Sequence, residues 1–194
     1  MRTMSVWMLV AVVLVAFPAA AQKADFVKQG PATPPAIEAS EDYPVNYPGG
    51  PAPAPVLGEL DQDDSTYNRV VDCSGLSGVG TAVVYDTVTI TNSSPGVADM
   101  VVFTSDQGNP AGCTDIDTLL TAYGSGGFNP ADPLTNCVAA NDDFSGLCSQ
   151  ITFQIPAGQT YVVVVTSYSN GALFPYQVNF DGTVPVELMS ISAE

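Results

Sequence analysis

The chain has no histidine and only four basic residues, against 20 acidic ones, in a length of 194. Each shortage closes off a class of function. Without imidazole there is no Ser-His or Cys-His nucleophile pair and no histidine metal ligand. A formal charge of −16 repels phosphate backbones, which argues against nucleic-acid binding. Charged residues are only 12% of the chain while 46% is hydrophobic, so the acidity does not come with the composition of a disordered protein. Tryptophan occurs once, as Trp7, and no stretch shows the period of an amphipathic helix.

The first residues read as an address. Arg2 gives a short positive start, residues 6–17 are an unbroken apolar run of 12, and Pro18-Ala19-Ala20-Ala21 follows. Ala19 and Ala21 fit the small-x-small pattern of a secretory signal peptide, 1–21, with cleavage at Ala21–Gln22. The run is shorter than the ~20 apolar residues that span a bilayer. No cysteine follows it, so a lipid anchor is not indicated. Removing the signal takes Trp7 and Arg2 away. The mature chain keeps Lys23, Lys28 and Arg69 against all 20 carboxylates, a formal charge of −17.

Residues 31–55 contain eight prolines in 25 positions. Proline fixes φ and lacks a backbone donor, so 22–59 reads as an extended, polyproline-like linker. It is a spacer on this reading. Tyr43-Pro44-Val45-Asn46-Tyr47 offers a second use, as a strand added to the edge of a neighbouring molecule.

From residue 60 onward, period-2 runs alternate with turn residues. The expected strands are 81–85, 86–91, 99–104, 118–123, 134–140, 150–155, 160–166 and 175–180. Asn92-Ser-Ser-Pro-Gly96, Asp106-Gln-Gly-Asn-Pro110, Gly124-Ser-Gly-Gly127 and Pro156-Ala-Gly158 separate them. About eight strands and no helix predict an all-β domain over 60–183, a β-sandwich or jelly roll, with 184–194 as a tail or last edge strand. The expected core includes Val84, Val88, Ile90, Val102, Leu119, Ile151, Phe153, Val162, Val164 and Phe180.

All four cysteines, Cys73, Cys113, Cys137 and Cys148, fall in the β segment. An even count in an exported chain favours disulfides. Of three connectivities, sequence proximity favours Cys137–Cys148, closing the turn between consecutive strands, with Cys73–Cys113. A zinc site of four thiolates is the alternative, disfavoured because no CxxC spacing is present.

Four pieces between residues 115 and 180 together resemble the bacterial pre-peptidase C-terminal domain family: Asp117-Thr-Leu-Leu-Thr-Ala-Tyr123, Asn141-Asp142-Asp143, Pro156-Ala-Gly-Gln-Thr-Tyr-Val-Val-Val164 and Pro175-Tyr-Gln-Val178. They cover about a third of the chain. The resemblance implies a non-catalytic appendage of exported enzymes, with calcium binding and attachment to a substrate or surface in some members. No catalytic domain accompanies it here. Val184-Pro-Val-Glu-Leu-Met-Ser190 is similar to segments near the ends of bacterial secreted proteins, without the hydrophobic tail and basic cluster of an anchor.

The candidate site is a carboxylate cluster. If the strand opened by Asp117 pairs antiparallel with the one closed by Asn141-Asp142-Asp143, then Asp115, Asp117, Asn141, Asp142 and Asp143 gather at one end of the sandwich. Clustered carboxylates repel, and oxygen-only donors suit Ca2+. The resemblance points to Asp117 and the Asn-Asp-Asp turn in that role. The plain alternative is a solvated turn. Paired carboxylates also serve glycosidases, but the mature chain has no tryptophan to stack a sugar, and no catalytic residues are assigned. Ser74 and Ser77, in Cys73-Ser-Gly-Leu-Ser-Gly78, lack the Gly-x-Ser-x-Gly order of a serine elbow and read as turn residues.

These observations predict a secreted, non-catalytic accessory or binding module, without a membrane or nucleic-acid partner. It would attach to an extracellular polymer or protein, with Tyr123, Phe128, Phe144, Tyr168 and Phe174 as contact candidates. The alternative is a structural subunit of an extracellular fibre or matrix, self-associating through the arm or through sheet edges that few lysines block.

Overall fold

Val83–Asn92 carries seven β-branched side chains in ten residues, and it becomes the longest strand of the computed structural model. The structure describes residues 54–110 and 112–182, and the backbone alone of 186–193. The expected signal peptide, most of the proline-rich arm and the Tyr43–Tyr47 segment lie outside the described residues.

Twelve strands follow one another: β1 (Val56–Leu60), β2 (Thr66–Tyr67), β3 (Val70–Asp72), β4 (Gly75–Leu76), β5 (Val83–Asn92), β6 (Ala98–Ser105), β7 (Thr118–Tyr123), β8 (Cys137–Asn141), β9 (Gln150–Ile155), β10 (Thr160–Ser167), β11 (Phe174–Gly182) and β12 (Val186–Ala193). No helix occurs among the described residues. A four-stranded sheet runs β1-β11-β6-β9. The other sheet runs β12-β5-β10-β7-β8, with β2 also paired to β5. All pairings are antiparallel, so the protein is an all-β sandwich of the expected class.

Two strands, β7 and β9, have the expected limits. The stretches 81–85 and 86–91 form one strand, β5. Residues 134–136 are a turn ahead of β8. The sandwich starts earlier than residue 60, because β1 lies inside the stretch assigned to the linker. Pro55 stops just short of the strand, which is on the sheet edge where a missing donor is tolerated. The strands β2, β3 and β4 are two or three residues long, too short to show a period in sequence. Val186–Ala193 is an edge strand against β5, while Val184 and Pro185 lie outside the described residues.

Between the sheets, Val84, Val88, Ile90, Met100, Val102, Ile151, Ile155, Val163, Val165, Val178 and Phe180 form one core. Seven of the ten expected core residues are among its members. Tyr176 is fully buried there and donates to Asp86 Oδ2 at 2.6 Å. Its ring fills the space over Gly58, where an added Cβ would come within 2.3 Å of it, so only glycine fits that point of β1.

The strands β5, β7 and β10 are buried on both faces, and a second cluster explains why. On the outer face of their sheet, Tyr67, Val83, Tyr85, Tyr123 and Val164 pack together, with Phe128, Cys137 and Val162 against them. Val164 and Val162 belong to this outer cluster, not to the inter-sheet core, because adjacent residues of a strand point to opposite faces. Phe128 meets Tyr67 and Tyr85 edge-on, with centroids 5.1 Å apart in both cases. Burial, then the neighbouring Tyr123 phenol, pushes the Tyr67 phenol well above its ordinary pKa.

The disulfides are Cys73–Cys137 and Cys113–Cys148, which corrects the expected pairing and excludes the zinc alternative. Cys137 opens β8 and Cys148 precedes β9, at opposite ends of the sandwich. Five strand residues separate those ends by roughly 17 Å, beyond any disulfide. Closeness along the chain therefore misled: β8 and β9 belong to different sheets.

Candidate functional site

Antiparallel strands sort the loops between two ends. One end carries the turns 61–65, 106–117, 142–149 and 168–173. The opposite end carries 93–97, 124–136 and 156–159. Residues 54–182 contain 14 carboxylates and one basic residue, Arg69. Eight of the 14 are in the four turns of the first end, so the charge imbalance is concentrated there.

As expected, β7 and β8 pair antiparallel, with Leu120 opposite Asn141. This brings Asp117 to Asp142 and Asp143. Burial first, then the charges of Asp143 and Asp142, raises the Asp117 pKa. The other two candidates have different local roles. Asn141 turns its amide to Gln150 O at 2.9 Å, which ties β8 to β9. Asp115 sits in a loop organised by Asp106, which accepts from Thr114 Oγ1 at 2.7 Å, Thr114 N at 2.8 Å and Asp115 N at 3.4 Å. Burial pulls the Asp106 carboxyl upward, but those hydrogen bonds outweigh it and hold the pKa low. Among the described residues, no group of three or more acidic, cysteine or histidine side chains is placed to hold a metal ion.

Beneath the turns lies a network of hydroxyls that carries no periodic signal in the sequence. Thr104 Oγ1 and Thr118 Oγ1 are 2.6 Å apart, and Thr118 Oγ1 and Ser149 Oγ are 2.9 Å apart. Ser149 N donates to Thr104 Oγ1 at 3.0 Å, and Ser149 Oγ reaches Thr118 O and Asp142 O. All three side chains are buried. They join the ends of β6 and β8 to the starts of β7 and β9, while Cys113–Cys148 fastens the loop above them. Buried polar groups with complete partners fix one arrangement of neighbouring strands.

This base holds exposed apolar side chains around Asp117. Thr118 N donates to Leu147 O at 3.4 Å, Tyr168 N to Asp117 O at 2.9 Å, and Phe144 N to Cys148 O at 2.8 Å. Phe144 is 62% exposed, Leu147 41% and Tyr168 37%. Of the five aromatic contact candidates, only Phe144 and Tyr168 are therefore exposed. Tyr123 is buried and donates to Pro133 O, Phe128 packs in the outer cluster, and Phe174 packs against the main core.

Arg69 is buried at this end. Nε donates to Tyr168 O at 2.8 Å, Nη1 donates to Val70 O at 2.9 Å, and the guanidinium lies 4.6 Å from the Tyr168 ring centroid. Ser77 Oγ accepts from the Val79 and Gly80 amides, and Ser74 Oγ donates to Asp72, so both serines make turn contacts as expected.

A raised Asp117 pKa means that its protonated form favours the fold. That contribution is present at low pH and is lost as pH rises through the carboxylate range. Asp117→Asn is therefore expected to raise the Tm at neutral pH, through a gain of less than about 1 kcal/mol in stability because the group is partly solvated. The gain should shrink in high salt and disappear below the carboxylate range. Melting curves across pH check this; a lower Tm at neutral pH would contradict it.

Fold and site together define a disulfide-clamped β-sandwich with an acidic end studded by exposed apolar side chains. No family model matches the chain, and no curated protein matches it significantly. The likeness to the pre-peptidase C-terminal domain family rests on the four sequence pieces alone.

Proposed function

We propose that the protein is a secreted, non-catalytic bacterial accessory module that attaches to an extracellular polymer or protein through its acidic end. The observation that carries this reading is the display of Phe144, Leu147 and Tyr168 on a hydrogen-bonded, disulfide-fastened base. Exposed apolar side chains grouped on rigid turns mark binding surfaces. Two disulfides suit an oxidising compartment, in keeping with export.

Calcium belongs to this reading only as a stabiliser. The oxygens of Asp117, Asp142 and Asp143 are donors of the type calcium prefers, and a cation would relieve their repulsion. Among the described residues no group of three or more acidic, cysteine or histidine side chains is placed as a ligand set, and the attachment reading rests on the apolar side chains. The reading as a fibre or matrix subunit draws on the edge strands β1 and β9, neither of which contains lysine.

Capture of the mature protein on panels of polysaccharide and protein matrices tests the main reading. Phe144→Ser with Leu147→Ser is expected to abolish capture while the Tm stays within a few degrees of wild type. Undiminished capture by the variant would remove the acidic end from the function. Light scattering on the same samples separates the readings, because a fibre subunit would form large species by itself.

A further inference from the structure

We infer that the partner bound at the acidic end is a basic, apolar polypeptide segment, one that places lysine or arginine beside leucine or phenylalanine. This inference rests on the attachment reading and supplies the chemistry of the partner.

The surface is apolar first. Phe144 and Leu147 come from the turn after β8, and Tyr168 and Leu173 come from the turn after β10; Leu173 is 41% exposed. Two of the four are aliphatic. Flat rings suit the face of a sugar, whereas branched aliphatic side chains offer no stacking plane and fit the side chains of a polypeptide.

Charge then selects among polypeptides. Asp117 lies between Leu147 and Tyr168 through backbone hydrogen bonds, with Asp142 and Asp143 in the turn that carries Phe144. Arg69, the one basic residue among 54–182, is 2% exposed with its guanidinium 4.6 Å from the Tyr168 ring centroid; it offsets Asp117 in part, but a single cation does not balance three carboxylates. An acidic or neutral segment docking here would leave these carboxylates facing low-dielectric surface or like charge, whereas a cationic segment neutralises them. The same imbalance disfavours a second copy, because two such ends would repel. The surface is also built in advance: the Thr104–Thr118–Ser149 network and Cys113–Cys148 hold its turns, so little ordering is required on binding.

The test uses three short peptides and the mature, disulfide-bonded protein. One peptide alternates lysine with leucine, one replaces every lysine by serine, and one replaces every lysine by glutamate. Titration calorimetry is expected to rank lysine first by at least about tenfold, with the advantage falling as salt rises. Asp142→Asn with Asp143→Asn should weaken the lysine peptide about tenfold. Asp99→Asn with Asp181→Asn removes two exposed carboxylates from the other sheet and should change binding by less than about threefold. Phe144→Ser should weaken the lysine and serine peptides alike.

Equal binding of the lysine and serine peptides, both lost in Phe144→Ser, would overturn the cationic partner and leave the apolar attachment surface standing. An equal loss in the Asp99/Asp181 variant would also overturn it, showing general attraction to an acidic protein. Concentration-dependent dimers that involve Phe144 would identify a second copy instead. If no peptide binds, this inference fails, while matrix capture decides the attachment reading on its own.

Discussion

Replacing Cys73 and Cys137 together by serine is expected to lower the unfolding free energy by about 4 kcal/mol. The two residues are 64 apart in sequence, so the bridge removes a long loop's freedom from the unfolded chain. Cys113–Cys148 spans 35 residues, and its loss should cost slightly less on the same account. The two losses differ in place. Cys137 packs against the outer aromatic cluster, and Cys73 sits at the tip of the β3–β4 hairpin, within a flap of residues 69–80. The hydrogen bonds Arg69 N–Gly80 O and Ser77 N–Arg69 O close that flap. In hydrogen exchange the flap amides should lose protection first in the Cys73/Cys137 variant, and the 142–149 turn in the Cys113/Cys148 variant. Chemical denaturation measures the cost. A Cys73/Cys137 variant as stable as wild type would show that the bridge restricts nothing.

The flap's other anchor is Arg69, and Arg69→Ala is expected to cost about 3–4 kcal/mol. Truncation strands the Tyr168 and Val70 carbonyls, which the guanidinium now satisfies. It removes the cation stacked on the Tyr168 ring and opens the space beside Gly80, where even a Cβ would lie 2.4 Å from Nε. Arg69→Met keeps much of the stem's packing and isolates the hydrogen bonds. It should still cost about 2 kcal/mol. Arg69→Lys restores charge without the planar fork and should recover only part of the loss. Urea midpoints for the three variants decide the matter. If methionine matched wild type, packing alone would account for the buried arginine.

Arg69 and Cys73 show how sequence and structure divide the information. In sequence, Arg69 is only the last basic residue in an acidic domain, and nothing around it signals burial. Its position follows from a flap that folds back across an outer sheet face, a contact between segments about a hundred residues apart. The cysteines were legible as disulfides, since an even count within a β domain read as exported leaves little else. Their pairing was not, because it depends on which sheet each strand joins.

The strands themselves were largely readable. Alternation or a β-branched run over six to ten residues marks β5, β6, β9 and β11, a continuous apolar run marks β7 and β10, and proline and glycine clusters mark their turns. The short strands β2, β3 and β4 carry no such pattern. The double burial of β7 and β10 appears in sequence only as continuous apolar character. The sequence likewise places Asp117 and the Asn-Asp-Asp turn at strand ends, and antiparallel pairing of β7 with β8 brings Asp117 within electrostatic reach of Asp142 and Asp143. Asn141 bonds to Gln150 and Asp115 within the Asp106 loop, contacts that no local pattern signals.

By itself, then, the sequence determined the all-β class, the excess of carboxylates and the lack of histidine, because these are properties of composition and local period. Only the tertiary structure decided the disulfide partners, the burial of Arg69, the separation of Tyr123 and Phe128 from the exposed Phe144 and Tyr168, and the gathering of the acidic turns at one end. Those depend on which strands cross between sheets, and long-range pairing is not written in any one segment of the chain.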